Sequence, residues 1–143
     1  MRSKVNFIFL LGPIVFFFLS MEAGEKDLNK RIEAVVEKIT PELIEIRRDL
    51  HAHPELAFQE KRTAAKVASY LQNLGLEVRT GIAGTGVLGI LRGLKKGPIL
   101  AMRADMDALP ITEATGLPFS SKEKTIMNGQ EVGLMHACGH DIH

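Results

Sequence analysis

Ile99-Leu100-Ala101-Met102-Arg103-Ala104-Asp105-Met106-Asp107-Ala108-Leu109-Pro110 is the stretch on which the fold class turns. Ile99 to Met102 are apolar without alternation, the pattern of a strand covered on both faces, so residues 99–104 are expected to form a central strand. Asp105 and Asp107 follow where that strand ends, and loops at the carboxyl ends of α/β strands line the usual ligand crevice. Two acids two residues apart point the same way while the backbone stays extended. One would then face a ligand while the other fixes the loop. By spacing alone, a solvated acidic turn stopped by Pro110 accounts for them equally well.

Upstream of this stretch the periodicity is helical. Ile32, Val35, Val36 and Ile39 share one face of a helix that begins at Asp27, with Glu33, Glu37 and Lys38 on the other. Thr40-Pro41 reads as an N-cap followed by proline at the first helical position, and Leu43, Ile46 and Leu50 continue the stripe up to Pro54. Ala64, Val67, Leu71 and Leu74 mark a further amphipathic helix, which Gly75 ends in a left-handed conformation. All these stripes are expected to be core. Short β-type segments follow at 76–80 and 87–91, and helices leading into strands imply an α/β domain. The glycine-rich stretch 81–89 lacks the lysine of a phosphate loop and precedes no helical pattern, so it reads as turns.

Composition narrows the function classes. The formal net charge of +1 balances 18 basic against 17 acidic residues with no long run of like charge, which excludes nucleic acid as a partner. The apolar run 5–19 stands behind Arg2 and Lys4. It is shorter than the roughly 18 residues of a membrane span, and Gly12-Pro13 interrupts it. Residues 1–23 are therefore expected to be a signal peptide, and the protein periplasmic or secreted. Ala23 lacks a small partner residue before it, so an uncleaved, tethering anchor stays open. Cys138 is the single cysteine, and no intramolecular disulfide can form.

That thiol lies in His136-Ala137-Cys138-Gly139-His140-Asp141-Ile142-His143, which holds three of the five histidines. Thiolate and imidazole suit zinc and related borderline metals, and Gly139 lets the backbone bend so that Cys138 and His140 reach one centre. Asp141 is a candidate acceptor for orienting an imidazole. A buried cysteine beside surface histidines is the plainer alternative, and two ligands do not close a site. In Asp49-Leu50-His51-Ala52-His53-Pro54-Glu55 the two histidines are read as helix-end groups facing exposed carbonyls, with metal binding as the alternative.

In this order the segments 47–56, 102–110 and 135–143 resemble the N-terminal third of the aminoacylase and carboxypeptidase family of two-metal peptidases. The likeness is to its bacterial and plant amidohydrolase branch, which hydrolyses N-acyl amino acids, hippurate-type substrates and auxin conjugates. The resemblance implies that residues 28–143 are the N-terminal portion of a three-layer α/β zinc-peptidase-like catalytic domain. It implies two divalent ions, zinc or manganese, with cobalt or nickel as alternatives, held in part by Cys138 and His140, the thiolate bridging the ions. Asp105 and Asp107 match the place of the family's His-x-Asp motif, one of them assisting the metals. A small N-acyl amino acid or peptide-like substrate and a full-length homodimer follow from the same likeness.

The family's general-base glutamate with its adjacent acid, two further metal-binding histidines and a lid or dimerisation domain have no match in these residues. The reading is of a truncated hydrolase that binds metal weakly and does not turn over by itself. A small exported metal-binding or interaction protein without catalytic activity is the competing class, and a decayed reading frame is the third.

Overall fold

The computed structural model describes the backbone of residues 11–143 and, within the first helix, the side chains from residue 27 onward. Six elements follow in order: α1 (Leu11–Ala52), α2 (Lys61–Asn73), β1 (Glu77–Ile82), β2 (Gly86–Ile90), β3 (Lys124–Met127) and β4 (Gln130–Gly133). The expected signal segment lies mostly outside the described residues or has undescribed side chains. Among the described residues no helix is long and apolar enough to cross a membrane.

The chain divides into two compact units, and the division falls between Leu43 and Ile44, inside α1. In the first unit, the expected break at Thr40-Pro41 does not occur. Pro41 sits within the helix, and the Thr40 hydroxyl donates back to the Val36 carbonyl at 2.6 Å instead of capping a new helix. The predicted core stripe is also overturned. Ile32 is 50% exposed and Val35 56%, with Leu28, Val36, Ile39 and Leu43 exposed as well. A helical apolar stripe records the need for cover without supplying it, and no described residue supplies it here.

In the second unit α2 ends as expected. Leu76 N donates to the Leu71 carbonyl at 3.1 Å and Gly75 N to that of Gln72 at 2.9 Å, with Gly75 at φ 80. This crossed pair consumes carbonyls left over at the helix end, and only glycine enters that conformation without strain. β1 and β2 pair antiparallel from Glu77↔Ile90 to Ile82↔Gly86, with a bulge between Thr80 and Ile82, and α2 packs on both strands. β3 and β4 pair antiparallel from Lys124↔Gly133 to Met127↔Gln130. Their turn is Asn128-Gly129, both at positive φ, the geometry whose twist matches the flanking strands.

The predicted central strand at 99–104 is not formed. These residues pair with no described strand, and Ile99, Leu100 and Met102 are 96%, 86% and 92% exposed. A strand is stable only when neighbours take its backbone donors and acceptors, and composition cannot provide those. The fold is mixed helix and strand all the same, with the interior of the second unit lying where the loops between these elements cross.

Candidate metal centre

Two short backbone bridges bring the three sequence segments together. Ala108 N donates to the Glu55 carbonyl at 2.7 Å, with Leu56 and Ala108 paired as a parallel bridge, while Leu109 and Met135 exchange two bonds of 3.0 Å. The acidic stretch is thereby laced to the end of α1 on one side and to the histidine-rich stretch on the other. Ala108 is 3% exposed at this crossing, where a larger side chain would push the bridges apart.

The two aspartates have different surroundings. Asp107 Oδ1 accepts from His140 Nδ1 at 2.9 Å, and its backbone carbonyl lies 3.0 Å from the same nitrogen. With Nδ1 occupied, Nε2 is the nitrogen of His140 left to face a ligand. Asp105 instead accepts from Arg103 Nε at 2.7 Å. That hydrogen bond holds its carboxyl below the usual carboxylate range, against some opposition from burial, and the electrostatic influence of Arg103 and of the neighbouring imidazoles adds to the effect. Asp105, His140 and His143 each offer a donor atom, and the three atoms all lie within 4.8 Å of one another.

Gly139 takes φ 79, and Ile142 N donates to its carbonyl at 3.0 Å, so the histidine-rich stretch turns back as expected. Cys138 is free and exposed on that turn, outside the three-donor group. The structure thus joins His140 with Asp105 and Asp107 and adds His143, which sequence spacing had left without a role. The signal for His143 was its i+3 placement after His140, just beyond the turn that Gly139 opens.

Behind the turn lies a buried polar network. His51 donates from Nδ1 to Asp141 Oδ2 at 2.9 Å and faces Glu113 Oε1 from Nε2 at 3.2 Å, while Arg47 Nε donates to the same Asp141 oxygen at 2.9 Å. His51 therefore binds carboxylates rather than helix-end carbonyls. The imidazole that Asp141 orients is His51, outside the expected ligand pair. Beside it, His136 is 5% exposed and neither ring nitrogen has a hydrogen-bond partner among the described residues. Burial pushes its pKa down, with the charge of Asp141 partly opposing.

The sequence profile of Peptidase family M20/M25/M40 matches residues 101–143, the stretch that carries these donors. The chain superposes on the crystal structure of Bacillus subtilis YxeP, described as a dinuclear metal-binding peptidase of the M20 family, with a TM-score of 0.64 and 45% identity over 73% of this chain. Residues 101–143 thus resemble this family in sequence, and the chain resembles one of its members in fold. Among similar proteins, a thermostable carboxypeptidase of Saccharolobus solfataricus is 46% identical over 82% of the chain. An N-acyl-L-amino acid amidohydrolase of Geobacillus stearothermophilus is 43% identical over 80%. The chain spans under a third of these proteins, 28% of the carboxypeptidase, 29% of the amidohydrolase and 28% of YxeP. The mixed helix-and-strand fold agrees with a second solved relative, an aminohydrolase from Staphylococcus aureus, at a TM-score of 0.69 and 42% identity over 79% of this chain and 28% of that one.

Proposed function

We propose that this chain is part of a metal-dependent hydrolase that cleaves the amide bond of N-acyl amino acids or related conjugates. The observation that carries the reading is the convergence of Asp105, His140 and His143 on a turn braced by Asp107, in a chain that resembles the M20 family. Relatives named for amidohydrolase and carboxypeptidase activity support the same reaction type and a small-molecule substrate.

The residues present fit a divalent cation. Imidazole, carboxylate and thiolate are the donors that zinc and manganese sites use, with cobalt and nickel selected by geometry and supply. The unpartnered ring of His136 is the one fully buried imidazole near the turn that lacks a hydrogen-bond partner among the described residues. Cys138 and His140 are the ligands of a two-metal centre in this reading, with Asp105 and His143 as further donors. YxeP's description as dinuclear supports two ions.

When bound, such ions supply Lewis acidity toward the scissile carbonyl and toward water. The protein's own part is positional. Asp107 holds the His140 ring in one tautomer, Arg103 keeps Asp105 ionised, and Gly139 lets the Cys138–His140 backbone double back. A fixed donor geometry is what allows charge to be stabilised as it develops without reorganisation.

Cobalt titration of the purified chain tests the centre. Thiolate-to-cobalt absorption is expected to appear in the wild type, to vanish in Cys138→Ser and to require more cobalt in His140→Ala; a wild-type chain that takes up no cobalt sinks the metal reading. Residues 24–143 alone are expected not to deacylate N-acetyl amino acids, since no glutamate in them matches the family's general base. Measurable acetate release would refute that. Export through residues 1–23, with homodimerisation of the full-length protein, belongs to the same proposal, and cell fractionation decides the former.

A further inference from the structure

We propose that His51 is a positioning residue for the metal centre, clamping Asp141 so that the Gly139–His143 turn presents His140 in a single orientation; the inference rests on the metal-centre reading above. Its basis is a network that reaches beyond what a helix end needs. Arg47 and His51 stand one helical turn apart on α1, so both reach the same Asp141 oxygen, each at 2.9 Å. The Asp141 side chain is 1% exposed and that of Glu113 is fully enclosed, so both carboxylates need compensating partners.

Glu113 is itself anchored. Ser121 N donates to its Oε2 at 2.6 Å and the Thr115 hydroxyl donates to Oε1, which also faces His51. Phe119 packs edge-on against the His51 ring at 5.6 Å between centroids, and the Arg47 and Arg48 guanidinium groups lie 5.6 Å and 5.4 Å from its centre. An aromatic lid of this kind keeps water from competing for the two carboxylates. The His51 ring thus has a carboxylate oxygen within hydrogen-bond distance of each of its nitrogens.

The consequence lies next door. Asp141 follows His140 directly, and Ile142 N closes the turn on the Gly139 carbonyl. His140 is thus held from two sides, by Asp107 on its ring and by the Arg47–His51 clamp on the backbone beside it. None of the clamp residues is among the three donors that converge. Outer partners of this kind set metal affinity by roughly 10- to 100-fold when removed.

The test is nitrogen-15 NMR of the histidine rings in the 143-residue chain, combined with cobalt titration. In the wild type, His140 is expected to show one fixed tautomer protonated at Nδ1. In His51→Gln that signature is expected to average while the amide signals of the β1–β2 hairpin stay in place, and the cobalt dissociation constant is expected to rise at least tenfold. An unchanged His140 signature in folded His51→Gln overturns the clamp. Should His51→Gln unfold, Arg47→Gln, which removes the half-exposed arm of the clamp, is read the same way. If the wild type takes up no cobalt, the metal-centre reading fails while the ring signature still decides the clamp. Equal cobalt affinity with an unchanged ring in the variant leaves the metal reading standing and removes the clamp.

Discussion

Residues 28–43 of α1 and residues 105–143 of the second unit handle burial in opposite ways. The first stretch carries Leu28, Ile32, Val35, Val36, Ile39 and Leu43 at 37% to 56% exposure, although their periodicity is that of a core helix. The second encloses His136 and Asp141 at 5% each, together with Ser121, and draws in His51 from the end of α1. Among the described residues the buried hydrophobic side chains are Ala68, Ala108 and Leu134, against six buried polar or charged ones, so polar complementarity organises this interior more than apolar area does. The contrast teaches that periodicity reports what a face could bury, whereas burial of a charged group requires partners placed by the rest of the chain.

The sharpest way to break that contrast is to unpair the interior. His51→Ala leaves Asp141 and Glu113 buried without their shared donor and is expected to cost about 3 to 5 kcal/mol, read as a lowered urea midpoint of the second unit. A loss of under about 1 kcal/mol would place the network's worth at that of a surface pair. Ala108→Leu tests the crossing itself. Overpacking between Glu55, Leu56 and Leu109 is expected to cost about 1 to 3 kcal/mol by the same unfolding measurement, since the bridges leave no room for a larger side chain.

Acid supplies a third test. Burial raises the Asp49 carboxyl, but hydrogen bonds and charge from Arg62 and Lys66 outweigh it and hold the group below its usual value. Glu113 behaves alike, burial being outweighed by the Thr115 hydroxyl, the Ser121 N–H and His51. A folded value below the unfolded one means stability that is complete above the ordinary carboxylate range and is lost as pH falls through the folded values. Unfolding midpoints are therefore expected to hold from neutrality down to that range and then drop, with Asp49→Asn flattening part of the fall. A midpoint that rises on acidification would contradict the pairing. The smallest effect belongs to the exposed stripe. Val35→Ser is expected to change stability by no more than about 0.5 kcal/mol, and a loss of 2 kcal/mol or more would show that the stripe is covered in solution.

The order of helices and strands was partly legible in advance. Gly75 stopped α2 as its position required, and β1 and β2 fell close to the expected segments, because turn and cap residues act over a few neighbouring positions. The β3–β4 hairpin went unread although Asn128-Gly129 is a strong turn signal, since Lys124 to Met127 carry little of the alternation that flags a strand. Thr40-Pro41 pointed to a helix start and became a helix interior, which shows capping propensity yielding to continuation of an established helix. At the site, His140 and the acidic pair stood out from residue type, whereas the division of labour between Asp105 and Asp107 did not.

Sequence by itself determined the local chemistry of this protein: the thiol and imidazoles of the histidine-rich turn, the glycine at position 139 that bends it, the acids at 105 and 107, and the ordered motifs that carry the family resemblance. Tertiary structure alone decided which aspartate braces His140 and which joins the donor group, that His51 meets two carboxylates 62 and 90 residues away, and that the 99–104 stretch forms no strand. The physical reason is range. Propensity, capping and turn geometry are settled within a few residues, while hydrogen-bond partners, burial and the electrostatics they set depend on groups that only the folded chain brings within reach.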